Sequence, residues 1–105
     1  MAEIKNIVQN KIQRFLAELE KIGINADKII LFGSYAKGTN NEWSDIDLAV
    51  VSNDFKGIRL IDKENMVAAI SAADFSISPL PYRPEDFTED DLFVKEILET
   101  GIRVV

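Results

Sequence analysis

The apolar positions of this 105-residue chain change period several times, and each change marks an element. Ile4, Ile7, Val8, Ile12, Phe15, Leu16, Leu19 and Ile22 recur at i, i+3, i+4, which predicts an amphipathic helix stopped at Gly23. Lys28 to Phe32 is a β-branched run that predicts a strand ending at the Gly33-Ser34 turn. A brief helix from Ser34 should end near Gly38, followed by the polar loop Thr39-Asn40-Asn41. Asp45 to Val51 reads as a second strand, with Ile46, Leu48 and Val50 on one face and Asp45 and Asp47 on the other. Asn53 to Gly57 reads as a turn. A helix is expected from Leu60 to Ala73 through Leu60, Ile61, Met66, Val67 and Ile70. Asp74 to Leu80 alternates again, Phe75 and Ile77 on one face and Asp74, Ser76 and Ser78 on the other. Pro79, Pro81 and Pro84 are expected to end that strand. Glu89 to Thr100 reads as a helix through Leu92, Phe93, Ile97 and Leu98, stopped by Gly101, and Ile102 to Val105 as a short closing strand. The Leu, Ile and Phe positions of the helices are expected to be core. The order predicts an α/β fold (α+β in some schemes), one mixed sheet packed with helices. Without linkers or repeats, residues 1–105 read as one domain.

Composition removes several chemistries. A hydrophobic content of 47% with 29% charged residues suits a soluble globular chain. No apolar run is long enough to span a membrane and no secretory signal pattern opens the sequence, so a cytoplasmic location is expected. The absence of cysteine excludes a disulfide framework, a thiolate nucleophile and a Cys-based zinc site. The absence of histidine excludes Ser-His triads and the usual neutral-pH base. A net charge of −6 argues against stable nucleic-acid binding by this chain alone and suits a basic partner.

The chemistry that remains concentrates between Leu31 and Val51. Alternation in a strand turns the carboxylates of Asp45 and Asp47 to the same side, their Cα atoms roughly 6.5–7 Å apart. Two such groups repel unless a cation lies between them, and hard oxygen ligands suit Mg²⁺. Gly33-Ser34 offers backbone N–H groups and a hydroxyl to a phosphate. Ser34 equally suits an N-cap, Asp74 a loop position and Lys37 a solvated side chain. Trp43 is expected to pack over the sheet edge, with stacking on a base or meeting a partner as the alternatives. Glu85, Asp86, Glu89, Asp90 and Asp91 read as the acidic start of a helix, or as a surface for a basic partner.

Gly33-Ser34, ten intervening residues and then Asp45-x-Asp47 resembles the signature of the DNA polymerase β-like nucleotidyltransferase superfamily. The short chain and the run DIDLAVV resemble its minimal nucleotidyltransferases (MNT-like proteins), the antitoxin-type partners of helical HEPN proteins. The resemblance covers nearly the whole chain. It implies that Gly33 and Ser34 hold the terminal phosphates of a nucleotide, with Lys37 placed to offset their charge. Asp45 and Asp47 would bind Mg²⁺, and Asp74 would supply the third carboxylate of a site with two ions, as ligand or base. Two such ions would clamp the attacking and leaving oxygens of an in-line displacement.

The resemblance further implies transfer of AMP from ATP to a hydroxyl, a tyrosine of a cognate HEPN toxin, which the modification would silence. Acceptor-binding domains of larger superfamily members are missing here, so the acceptor site would come from a partner or a homodimer. The alternative is a non-catalytic module that neutralises its partner by complex formation, or a nucleotide sensor that binds without transferring.

Overall fold

The computed structural model describes residues 5–41 and 43–105. Ile4, read above as part of the first helix, lies outside them. Helix α1 spans Asn6–Lys21, strand β1 Lys28–Phe32, the single-turn helix α2 Ser34–Lys37 and strand β2 Ile46–Val51. Helix α3 spans Arg59–Ala73, strand β3 Ile77–Tyr82, helix α4 Leu92–Thr100 and strand β4 Ile102–Arg103, with a 3₁₀ turn at Pro84–Asp86. The strands form one mixed sheet in the order β3-β2-β1-β4. β1 runs antiparallel to β2 and β4, while β2 and β3 run parallel, joined through α3. This is the expected small α+β fold with its mixed sheet.

Alternation divides the core in two. Ile29, Leu31, Ile46, Leu48, Val50 and Ile77 point to the face covered by α1 and α3, where they meet Ile12, Phe15, Leu19 and Met66. Ile30, Ala49, Val51 and Tyr82 point the other way, onto Val94 and Ile97 of α4 and Phe87. Full burial of one such aliphatic side chain is worth about 1.5–3 kcal/mol, so the first face carries most of the stability. Buried Asp62 accepts from the N–H groups of Lys56 (2.9 Å) and Gly57 (3.0 Å), which ties down the turn before α3.

Several boundaries differ from the sequence reading. Pro79 and Pro81 lie inside β3, not beyond its end. The carbonyls of Ser76 and Tyr82 accept from Ile46 and Ser52 on the β2 side, so even-numbered residues of β3 turn their backbone polar groups inward. Pro79 and Pro81 therefore aim their missing donors at the free edge, where they block further strand addition. Asp45 precedes β2, and Asp74 caps the C-terminus of α3 instead of opening β3. Phe75 is 82% exposed in the turn between them and does not share a face with Ile77. Helix α4 starts at Leu92, not Glu89, because the Asp91 carboxylate accepts from the N–H groups of Phe93 (2.8 Å) and Val94 (3.3 Å). Gly101 follows α4 in an extended conformation, and an added Cβ there would crowd the Ile97 carbonyl and Ile30 Cγ2.

Not every apolar helix position is core. Ile7, Leu60, Val67, Leu92 and Leu98 are exposed, since α1 and α3 cover one face between them and α4 covers the other alone. Trp43 is 82% exposed and does not pack over the sheet edge.

Candidate functional site

The open part of the α4 face lies at the N-terminal end of β2. There the sheet pairs Phe32 of β1 with Asp47, and Asp47 with Ser78 of β3, so the three residues form one row across the strands. Asp47 shares its face with Ala49 and Val51 by alternation, but α4 does not reach far enough to bury it. Its carboxylate is half-buried, and Asp45 stands exposed just before the strand. Desolvation, and then the charge of Asp45, push the Asp47 carboxyl above the usual carboxylate range.

The Gly-Ser turn meets this pair directly. Gly33 follows β1 with φ 73° and ψ −149°, a conformation that a side chain resists. An added Cβ would also run into Asp47 Oδ2. Glycine is thus required twice, by the backbone angle and by the carboxylate against it. The following turn is closed by the Lys37 N–H to the Gly33 carbonyl (3.1 Å) and the Thr39 N–H to the Ser34 carbonyl (3.0 Å). One turn carries little macrodipole, so the position of Ser34 comes from the glycine and not from a helix field. Tyr35 turns to the other face, packed at the edge of the α1/α3 core.

A hollow of about 160 Å³ opens beside Gly33, lined by Phe32, Lys37, Phe93, Glu96, Ile97 and Thr100. Phe93 meets Phe32 edge to face at 5.8 Å, and Lys37 Nζ lies 3.8 Å from Glu96 Oε1. Such a long, half-exposed ion pair contributes little to stability and leaves the ammonium able to turn toward an anion. Sequence reading missed the α4 side of this hollow, because Phe93 looked like ordinary core and no motif singles out Glu96.

Asp74 is not brought to the pair. Its carboxylate accepts from the Ser76 N–H (2.9 Å) and hydroxyl and lies 3.3 Å from Lys11 Nζ of α1, the helix on the opposite face. These contacts, the Ser76 hydroxyl first, hold its carboxyl below the usual range. Among the described residues no group of three acidic side chains converges to hold a metal. The sequence reading of Asp74 as a third ligand rested on its opening a strand in the sheet, and the C-cap of α3 takes that place instead.

What remains is two carboxylates, one of them half-buried and reluctant to ionise, against a glycine turn carrying a serine hydroxyl. The donor set is all hard oxygen, which fits a divalent cation such as Mg²⁺ shared by Asp45 and Asp47. Burial first and the charge of Asp45 second keep the Asp47 carboxyl raised, and a cation shared by the pair would offset both.

A small mixed sheet with an acidic pair at one open end, a glycine-serine turn packed on it and a lysine nearby has the donor types that suit a phosphate and a cation. The family described as a nucleotidyltransferase domain matches residues 10–104, and the chain belongs to it. Two relatives come from Methanocaldococcus jannaschii. "Putative protein adenylyltransferase MJ1305" is 32% identical over 89 residues, covering 80% of this chain and 60% of the relative. "Putative protein adenylyltransferase MJ0141" is 30% identical over 82 residues, covering 74% of this chain and 78% of the relative. The chain thus spans less than two thirds of the first relative's length. A Sulfolobus solfataricus crystal structure, described as that of "a putative nucleotidyltransferase", shares the fold. Its TM-score is 0.53 at 19% identity, covering 98% of this chain and 89% of that one.

Proposed function

We propose that this chain transfers a nucleoside monophosphate, AMP from ATP, to a hydroxyl acceptor. The observation that carries the reading is the packing of Gly33 against Asp47, which joins the two halves of the family signature in one place. The names of the two relatives point to a protein acceptor, and the minimal-nucleotidyltransferase resemblance specifies a tyrosine of a HEPN-family partner, with an antitoxin role.

In this reading Gly33 leaves room for the phosphates, the Ser34 hydroxyl donates to one of them, and Lys37 releases Glu96 to offset their charge. Asp45 and Asp47 hold a divalent cation, whose contribution is to neutralise charge on the reacting phosphoryl group. The acceptor oxygen attacks the α-phosphorus. The bond from that phosphorus to the oxygen bridging the β-phosphate breaks, and pyrophosphate departs as the acceptor proton is lost to solvent. Positioning and charge stabilisation supply most of the rate in such transfers, so a site without histidine suffices.

A second reading, a module that silences its partner by docking alone, draws on Asp74 being engaged away from the aspartate pair. Intact-mass spectrometry separates the two. The chain is mixed with Mg²⁺, each nucleoside triphosphate and the product of the adjacent gene, with Asp45→Ala/Asp47→Ala alongside. A nucleotidyl mass gain on the partner, lost in the variant, is expected. A stable complex that forms without any mass gain, with or without the aspartates, establishes the docking module.

A further inference from the structure

The two-ion site that the family resemblance implies takes a third carboxylate from a strand beside the aspartate pair, and the register shows which residue has that seat. Across the parallel β2–β3 ladder Asp47 is opposite Ser78, on a strand roughly 4.8 Å away. Ile77 enters the α1/α3 core while Leu80 and Tyr82 face the α4 side, so alternation puts Ser78 on the face of Asp47. It is exposed there. The acidic candidate Asp74 is spoken for: the Ser76 N–H, the Ser76 hydroxyl and the Lys11 ammonium all hold it. Reaching the pair would require giving up all three partners at once.

Charge decides the consequence. Asp45 and Asp47 together balance one divalent cation. Two such cations about 3.5–4 Å apart repel strongly. Nucleotide phosphates bound to the cations relieve part of that repulsion. An ion held by the protein side of the site also needs a carboxylate there, and a neutral serine hydroxyl supplies no charge. We infer that the site takes one divalent cation with its nucleotide instead of two, with Ser78 in the seat of the third carboxylate. This rests on the nucleotidyltransferase reading above.

The test is to count bound Mn²⁺ by electron paramagnetic resonance, with the full chain saturated by α,β-methylene ATP. One Mn²⁺ per chain–nucleotide complex is expected for the native chain, an unchanged count for Asp74→Asn, and two for Ser78→Asp. The metal-free Ser78→Asp chain should also melt lower than the native one and gain more from Mn²⁺, because three like charges then share the seat. Two ions on the native chain, a lower count in Asp74→Asn, or a single ion on a folded Ser78→Asp chain would each overturn the inference. The first two do not depend on Ser78→Asp folding. Absence of both nucleotide and Mn²⁺ binding in the native chain would instead overturn the nucleotidyltransferase reading, and this inference with it.

Discussion

The two faces of strand β2 have opposite fates. Ile46, Leu48 and Val50 are sealed along their whole length under α1 and α3. Asp47, Ala49 and Val51 alternate with them, yet only the last two are sealed, under α4 and Tyr82. Residues one peptide apart thus do different work: Leu48 holds the domain together, while Asp47 costs stability by keeping a charge in a half-dry place beside another charge. A rigid, fully packed face is what allows the opposite face to hold such a strained carboxylate in position.

That contrast can be broken most severely at Asp47. Asp47→Ala should lower nucleotidyl transfer by about 100-fold or more while circular dichroism shows an unchanged fold. Next in size, Leu48→Ala should cost about 2–5 kcal/mol through the cavity left behind, seen as a fall in Tm of about 10 °C or more. Gly33→Ala combines the two outcomes. It should destabilise by about 1–3 kcal/mol through backbone strain and displace the Asp47 carboxylate, weakening nucleotide binding measured by calorimetry.

A gentler probe is the pH dependence of Asp47→Asn without metal. A carboxyl raised above its unfolded value keeps its proton more tightly in the native state. Stability is therefore lost as pH rises from the ordinary carboxylate range through the raised value. The variant should melt above the native chain at neutral pH, and the gain should vanish in acid. The smallest effect belongs to Asp74→Ala. Losing a half-exposed ion pair and its Ser76 contacts should cost about 1 kcal/mol or less in urea titrations. That loss should fade as pH falls through the lowered Asp74 value.

The face contrast itself was legible in the sequence, because period-2 alternation assigns Ile46 and Asp47 to opposite sides without knowledge of the fold. So was the coincidence of Gly33-Ser34 with Asp45 and Asp47, which needs only the turn and the strand pairing. The row from Phe32 through Asp47 to Ser78 was not legible, since register between strands far apart in sequence depends on the packing of α3. For the same reason Asp74 read as a strand residue. The prolines of β3 suggested an end, when they mark an outer edge. Trp43 looked like a packing residue by type and Phe75 by alternation with Ile77; both lie outside the strands, and both are 82% exposed.

Paramagnetic broadening of amide signals by Mn²⁺ in the nucleotide-saturated chain tests the central claim most directly. Broadening centred on Gly33, Ser34, Asp47 and Ser78, with Leu19 and Met66 of helices α1 and α3 least affected, is the predicted result. Broadening centred on Asp74 and Lys11, or spread evenly over the acidic surface, would contradict it.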